Sequence, residues 1–446
     1  DYGVVGMLAI FFAFAEVFIS SGLSMALIRK TDRTDRDFST VFHFNLAVAC
    51  AFYLVFYAIS PLVARFYDMP VLERVMRVAA LPMVISAATA VQNTRLTIDL
   101  RFKTQALIGL GSAVATGIVG IMLAYCGWGV WALVFQSVAG SLLRAVATWI
   151  ASGWRPKKEF DIAAFKEMFA FGSRLLGAGM VNSIYQNMYS FVIGKFFNAS
   201  ELGLFNRASA YAGLPPGIVL GTVNKVCYPI LARMKDDNAQ LLSAYRQMLL
   251  IPAFVLFPAM FGIAVLAEPF VRATIGEKWL SCVPLLQILC FGGLWMPLTN
   301  INLSLLYVKG RSDIVLRLEF VKKTIAFSLV FASIPFGVAG MCVAKSAYEL
   351  ISCFFNCYYT KKLLGYGFWA QLKDHAPLLA NTVFMSATVY FACRPLEGFP
   401  KIQLFAGVLL GAAVFMAVAA ATKDSTFVFL FSALKQRLAQ RKRSSS

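Results

Sequence analysis

Thirteen apolar stretches, each long enough to cross a lipid bilayer, make up most of this 446-residue chain. They cover residues 4–28, 38–63, 75–94, 105–125, 128–151, 167–194, 204–230, 247–267, 283–308, 318–334, 337–360, 376–393 and 402–422. A transmembrane helix needs roughly 20 mostly apolar residues, and in lipid a helix satisfies its own backbone hydrogen bonds. The connecting segments are too short to fold as domains. The sequence therefore predicts an all-α integral membrane protein.

Lys and Arg are distributed unevenly between the two sets of loops. Alternate loops, beginning after the first span, hold 26 of these residues together with the C-terminal tail, whereas the other loops hold 8. Cytoplasmic loops of membrane proteins collect Lys and Arg. The richer side is therefore predicted to be cytoplasmic and to include the C terminus. This distribution also accounts for the net charge of +19 without a nucleic acid partner.

The odd number of spans places the two ends of the chain on opposite sides of the membrane. We expect a further span ahead of Asp1, which would give fourteen. An internal match supports this count, because Asp1-Tyr2-Gly3 and Glu201-Leu202-Gly203 each begin an outer-side span. We predict two pseudo-symmetric six-helix bundles, residues 1–151 (lacking their first helix) and 152–360, as in transporters built from repeats. Residues 361–446 add two spans and a basic tail.

Several short motifs occur in the order and spacing of a known family. They are Glu201-Leu202-Gly203-Leu204-Phe205-Asn206-Arg207-Ala208, Leu214-Pro215, Tyr228-Pro229-Ile230-Leu231, Gly276-Glu277-Lys278-Trp279, Pro284-Leu285-Leu286-Gln287-Ile288-Leu289, Lys309-Gly310-Arg311-Ser312-Asp313 and Phe336-Gly337-Val338-Ala339-Gly340. Over essentially the whole chain they resemble Wzx-type polysaccharide flippases of the multidrug/oligosaccharidyl-lipid/polysaccharide exporter superfamily. The resemblance implies a fourteen-helix fold around a central cavity. It also implies translocation of undecaprenyl-diphosphate-linked oligosaccharide to the outer leaflet of the bacterial inner membrane.

Seven basic residues lie within the predicted spans. They are Arg144, Arg174, Arg207, Lys225, Lys322, Lys323 and Lys345. A charge at mid-bilayer costs about 2.5–3.5 kcal/mol, so such residues usually face a bundle interior or a water-filled cavity. Residues close to a span end can instead extend their charge to the interface. We expect this of Arg144, Arg207, Lys225 and Lys322, whereas Arg174 and Lys345 lie deeper.

A polar stripe follows Arg174 along its span. Asn182, Gln186 and Tyr189 recur at i, i+4 and i+7 and share one helix face. This face either lines a sugar-binding cavity or makes hydrogen bonds between helices. A diphosphate needs Arg or Lys partners, and sugars need amide and hydroxyl groups. The predicted substrate-binding residues are Arg174, Asn182, Gln186, Tyr189, Arg207 and Lys345.

Three acidic residues also fall within spans. Glu319–Lys323 and Lys345–Glu349 are spaced at i, i+4, which indicates structural ion pairs. Glu16 has no such local partner. It either couples transport to a cation, sodium or proton, or pairs with an arginine of the cavity, or is a protonated, hydrogen-bonded acid.

The adjacent prolines Pro215 and Pro216 lie near the middle of a span. Each removes a backbone hydrogen bond and can kink a helix. They either form a hinge for alternating access or a static kink that serves packing.

The sequence argues against several other activities. Its nine Cys are scattered without C-x-x-C, and there is no nucleotide-binding G-x-x-x-x-G-K-[ST], so we predict neither a metal nor another cofactor. A membrane polysaccharide-biosynthesis enzyme of the polymerase type is expected to carry a larger external loop. A drug/cation antiporter should favour acids in its spans, whereas here bases outnumber acids seven to three. A peptidoglycan-precursor flippase of the same superfamily is a further alternative.

Overall fold

The computed structural model describes residues 2–20, 23–30, 32–234 and 236–432. These residues form helices and turns, without a strand among them. The helices are α1 (Tyr2–Ser20), α2 (Leu23–Arg29), α3 (Asp35–Phe66), α4 (Val71–Ala79), α5 (Leu81–Ile98), α6 (Phe102–Tyr125), α7 (Val130–Ser152), α8 (Ile162–Phe196), α9 (Ala199–Arg233), α10 (Asn238–Val265), α11 (Ala267–Thr274), α12 (Val283–Gly293), α13 (Trp295–Val308), α14 (Ser312–Ser333), α15 (Gly337–Leu364), α16 (Phe368–Cys393) and α17 (Pro400–Ala421).

Each of the thirteen predicted spans corresponds to one helix or to two consecutive helices. By length and apolar composition, ten of the described segments could cross a membrane, and one of them, Asp313–Leu364, includes both α14 and α15. The predicted all-α, multi-pass membrane class is confirmed.

Many helices extend beyond the apolar stretches because polar residues cap their first turns. Thr34 accepts a hydrogen bond from the backbone N–H of Asp37, and Asp37 returns the interaction to the Thr34 backbone. This reciprocal capping box satisfies two N–H groups that have no partner within the helix. The carboxylates of Asp161 and Asp237 cap α8 and α10 in a similar way. Span edges estimated from hydropathy therefore fall several residues short of the true helix starts.

Two further predicted spans, besides the one that contains α1 and α2, are broken into consecutive helices at described residues. The first breaks between α4 and α5 at Ala80, two residues before Pro82. The second breaks between α12 and α13 at Leu294, directly after Gly293. A Cβ atom on Gly293 would lie 2.5 Å from Met260 Cε and 3.2 Å from Pro216 Cγ. The missing side chain thus lets α12 pack closely against α9 and α10. Helix α9 itself continues through Pro215 and Pro216.

The chain forms two compact units, Asp1–Asn206 and Arg207–Ser446, called here the N-terminal and C-terminal units. In the N-terminal unit α1 packs on α8, α5 on α3 and α7, and α6 on α7. In the C-terminal unit α15 packs against α12, α13 and α14, while α16 packs against α10 and α17. The boundaries predicted at 151/152 and 360/361 remain a proposal.

Candidate functional site

The predicted polar stripe lies on α8, in the N-terminal unit. The side chains of Arg174 and Asn182 fall outside the part of the chain that the structure describes. Gln186 is exposed, whereas Tyr189 is buried and its ring stacks on Phe205, with centroids 6.1 Å apart and planes 17° from parallel. Their assignment to a sugar-binding surface stays a prediction.

Arg207 lies at the start of the C-terminal unit, near the end of α9 that is predicted to be periplasmic. Its guanidinium stands over the ring of Trp279, 5.7 Å from the ring centroid. A cation over an indole face is attracted by the negative face of the ring. Two motifs of the family resemblance, one containing Arg207 and the other Trp279, therefore meet in space.

Lys345 belongs to a group of five charged residues on α14 and α15, called here the lysine cluster. Its members are Glu319, Lys322, Lys323, Lys345 and Glu349. Lys322 pairs with Glu319 one turn earlier. Glu349 interacts electrostatically with all three lysines, Lys345 most strongly, and Lys323 also interacts with Glu319. The predicted ion pairs are thus parts of one larger cluster with three cations and two anions.

The expectation that Lys322 extends its charge to the membrane interface is wrong. Its side chain is only 3% exposed and is held by Glu319. Distance from a span end suggested the interface, but packing of α14 against α15 covers the residue. Burying a charge is costly unless it is paired. The lysine cluster thus places three lysines beside two glutamates within the C-terminal unit.

A second polar group, called here the amide network, joins four helices of the C-terminal unit. The Tyr245 hydroxyl and the Thr360 hydroxyl both donate to Asn302 Oδ1, at 2.6 and 3.1 Å. Asn302 Nδ2 donates to Gln371 Oε1 at 3.1 Å, and Gln371 Nε2 donates back to Asn302 Oδ1 at 3.0 Å. All four side chains are buried. Paired in this way, they hold α10, α13, α15 and α16 in a defined register.

An ionic contact continues the amide network towards the turn between α15 and α16. The Tyr366 hydroxyl donates to Asp374 Oδ2 at 2.6 Å, and Arg246 Nε lies 3.3 Å from the same oxygen. Burial and the adjacent Asp374 carboxylate raise the pKa of Tyr366. The hydroxyl therefore stays protonated at neutral pH and remains a donor. These contacts stabilise the packing of α10 against α16.

The N-terminal unit contains two buried amides that the sequence analysis missed. Asn45 on α3 is 1% exposed and Gln92 on α5 is 0% exposed. Among the described residues, neither the nitrogen nor the oxygen of either amide has a hydrogen-bond partner. Each is an amide inside an apolar span, the same sequence pattern that marks the stripe on α8. These groups retain hydrogen-bonding capacity in the interior of the unit.

A family model described as "Polysaccharide biosynthesis protein" matches residues 1–284. The chain belongs to this family. Its resemblance to the polysaccharide flippases of the multidrug/oligosaccharidyl-lipid/polysaccharide exporter superfamily is thereby confirmed. The apolar helices and the family together identify a multi-pass membrane protein of polysaccharide biosynthesis.

Two relatives of known name are described as proteins of biosynthesis or of biosynthesis transport. The teichuronic acid biosynthesis protein TuaB of Bacillus subtilis (strain 168) is 30% identical over 309 residues, which are 68% of this chain and 63% of the relative. The chain therefore matches less than two thirds of that relative's length. The succinoglycan biosynthesis transport protein ExoT of Rhizobium meliloti (strain 1021) is 22% identical over 446 residues, covering 95% of this chain and 87% of ExoT.

Solved structures share the fold. The lipid II flippase MurJ, in an inward closed conformation, superposes with a TM-score of 0.76 at 15% identity, covering 95% of this chain and 93% of MurJ. An inward-facing multidrug resistance MATE family transporter of the MOP superfamily gives a TM-score of 0.65 at 14% identity, covering 81% and 90%. At these identities the likeness concerns the fold alone.

Proposed function

We propose that this protein moves undecaprenyl-diphosphate-linked oligosaccharide from the cytoplasmic to the periplasmic leaflet of the bacterial inner membrane by alternating access. Membership of a polysaccharide biosynthesis family and similarity to ExoT, which is named a transport protein, support a glycan cargo. The transporter fold shared with MurJ supports movement rather than chemical change of that cargo. The proposal accordingly assigns no catalytic residue.

The lysine cluster is the observation that carries the proposal. A diphosphate is a compact dianion, and charged hydrogen bonds to it are strong in a site of low dielectric constant. The cluster holds three lysine ammonium donors, on Lys322, Lys323 and Lys345, beside two glutamates. An anionic head group can therefore be attracted into the helices, while its lipid tail stays in the bilayer.

The remaining predicted residues receive roles within the same proposal. Arg174 and Arg207 are further partners for the diphosphate, and Asn182, Gln186 and Tyr189 offer amide and aromatic groups to the sugars. Glu16, an exposed carboxyl on α1, is the candidate for coupling to sodium or a proton. Pro215 and Pro216 are the candidate hinge. The C terminus is cytoplasmic, and no nucleic acid takes part.

The test replaces Lys345 with Met and measures surface polysaccharide and the amount of protein in the membrane. Because a charge in contact with the diphosphate is lost, we expect export to fall by roughly tenfold or more. Lys361→Met on the same helix is the matched control, because Lys361 is exposed near the end of α15. Arg174→Ala is expected to abolish export as well, with normal membrane insertion.

A double variant separates substrate binding from simple ion pairing. Lys345→Met leaves Glu349 without its main partner, which can by itself destabilise the helix pair. The double variant Lys345→Met/Glu349→Gln removes both charges, so no buried carboxylate is left without its main partner. If the lysine binds cargo, export stays low in the double variant although the protein is stable. Restored export would contradict the proposal.

Purified protein in liposomes then identifies the cargo. We expect a fluorescent undecaprenyl-diphosphate oligosaccharide to become accessible at the opposite leaflet in the presence of wild-type protein, and not with Lys345→Met. Translocation of the peptidoglycan precursor alone would favour the alternative flippase. Elongation of the glycan during the assay would favour the alternative enzyme.

A further inference from the structure

An apolar groove runs along the C-terminal unit between α10, α16 and α17. It has a volume of about 520 Å³ and is lined only by apolar side chains and glycines. Along α17 its lining extends from Leu404 to Met416, which corresponds to about 18 Å at the helical rise of 1.5 Å per residue. This is a little more than half of the roughly 30 Å hydrocarbon core. The groove therefore spans about one leaflet, the length of a phospholipid acyl chain.

A polar pocket of about 260 Å³ adjoins one end of this groove. Leu266 and Val389 line both spaces, so the pocket and the groove lie next to each other. The pocket lies where α10 and α16 end and α17 begins, on the side predicted to be periplasmic. Its charged residues are Glu268 and Arg272 of α11, and Arg394 and Glu397 from the turn after α16.

The pocket offers two positive and two negative groups to a head group. Arg272 bonds Glu268 at 2.9 Å and also lies 4.0 Å from Glu277, which is outside the pocket lining, while Arg394 and Glu397 are 4.0 Å apart and both largely exposed. Arg272 Nε is buried and has no hydrogen-bond partner among the described residues. The arginines suit a phosphate, to which guanidinium groups bind well. The glutamates suit a cationic amine and would repel a second negative charge on the lipid.

We propose that this groove and pocket together bind one zwitterionic phospholipid with a primary ammonium group, such as phosphatidylethanolamine. One acyl chain occupies the groove, the phosphate lies against Arg272 and Arg394, and the ammonium lies against Glu268 and Glu397. This lipid is a bound component of the C-terminal unit and is distinct from the transported glycan lipid. It fixes α17 to α10 and α16, the helices that line the groove.

The experiment measures which lipids remain bound to the purified protein. Wild-type protein is reconstituted in vesicles of equal phosphatidylethanolamine and phosphatidylglycerol, extracted gently and examined by native mass spectrometry. We expect one phosphatidylethanolamine retained in preference to phosphatidylglycerol by about tenfold, the effect of one charge-assisted contact.

Two variants test the groove. Ala412 lines it and is exposed, so Ala412→Phe fills the space that the acyl chain would occupy. The neighbouring Ala413 is also exposed but does not line the groove, which makes Ala413→Phe the matched control. We expect the bound lipid to be lost from the first variant and kept by the second.

The head-group pocket is tested by charge. Glu268→Gln/Glu397→Gln removes the partners of the ammonium and is expected to abolish or reverse the preference for phosphatidylethanolamine. Arg272→Gln/Arg394→Gln should lose both lipids, whereas the exposed pair Lys278→Gln/Lys401→Gln outside the pocket should keep them.

Three results would overturn the proposal. They are equal retention of both lipids by the wild type, unchanged retention in Ala412→Phe, and recovery of a polyprenyl phosphate in place of a phospholipid from cell membranes. Because the readout is lipid binding, the outcome is independent of glycan export.

Discussion

The two units both bury amide side chains among apolar helices, but the amides compared here differ in whether they have hydrogen-bond partners. In the C-terminal unit, Asn302 and Gln371 bond each other, and Asn302 Oδ1 also accepts hydrogen bonds from the hydroxyls of Tyr245 and Thr360. In the N-terminal unit, the amides of Asn45 and Gln92 are equally buried and have no partner among the described residues. Leaving a buried polar group without a partner costs about 1–3 kcal/mol.

This difference indicates different roles for buried polarity. A satisfied network stabilises one arrangement of helices, and it has little capacity left for a ligand. An unpaired amide lowers stability, so its presence calls for a further explanation such as contact with water or with a polar cargo. We therefore infer that the amide network serves stability, whereas Asn45 and Gln92 serve function.

The largest effect is expected from Asn302→Leu. This change leaves Tyr245, Thr360 and Gln371 without their shared partner, so we expect a loss of about 3–5 kcal/mol of stability. Thermal unfolding in detergent measures it. The control is Asn300→Leu on the same helix, because the Asn300 side-chain amide donates to the backbone oxygen of Met296, one turn earlier on its own helix. A similarly small loss of stability in both variants would contradict a stabilising role of the amide network.

A smaller effect of opposite sign is expected in the N-terminal unit. Asn45→Leu and Gln92→Leu replace unpaired amides with apolar groups of similar size. Because no hydrogen bond within the described part of the chain is lost, we expect stability to stay the same or rise by about 1 kcal/mol. Polysaccharide export should nevertheless fall. Destabilisation as large as that of Asn302→Leu would show that the two units do not differ in this respect.

The smallest effects concern two buried tyrosines outside the spans. Tyr67 has no hydrogen-bond partner for its hydroxyl among the described residues, whereas Tyr366 bonds Asp374. At neutral pH we expect Tyr366→Phe to cost about 1 kcal/mol and Tyr67→Phe to cost nothing measurable. Thermal unfolding of both variants makes the comparison, and equal costs would contradict it.

The same variants differ at alkaline pH. Burial raises the pKa of Tyr67 from 10.0 to about 12. The folded protein therefore holds this proton more tightly than the unfolded chain does, and the resulting stability is present below pH 10 and is lost as the pH rises towards 12. Tyr67→Phe should remove this part of the alkaline destabilisation. An unchanged slope of unfolding temperature against pH would argue against a buried hydroxyl.

Particular residues show how far sequence reasoning reached. The thirteen spans were predictable because each depends on a local average of hydropathy, and the motif containing Arg207 pointed to the correct family. Lys322 was misjudged because its depth in the span was counted along one helix, while its burial depends on the neighbouring α15. The candidate cavity residues Arg174 and Asn182 remain predictions.

The amide network shows the same limit most clearly. Tyr245 and Gln371 are 126 positions apart in the chain, and no spacing in the sequence connects them. Nor does any local pattern distinguish Asn302, which has partners, from Asn45, which has none among the described residues. Both are single amides inside apolar spans.

The sequence by itself determined the membrane class, the approximate helix bounds and the family, because hydropathy and motifs are properties of contiguous residues. Only the tertiary structure decided which polar side chains have partners and where a groove remains open. These outcomes depend on how each helix is rotated and aligned against its neighbours. A buried polar group is stabilising when that alignment brings a donor and an acceptor within about 3 Å of each other, and costly when it does not.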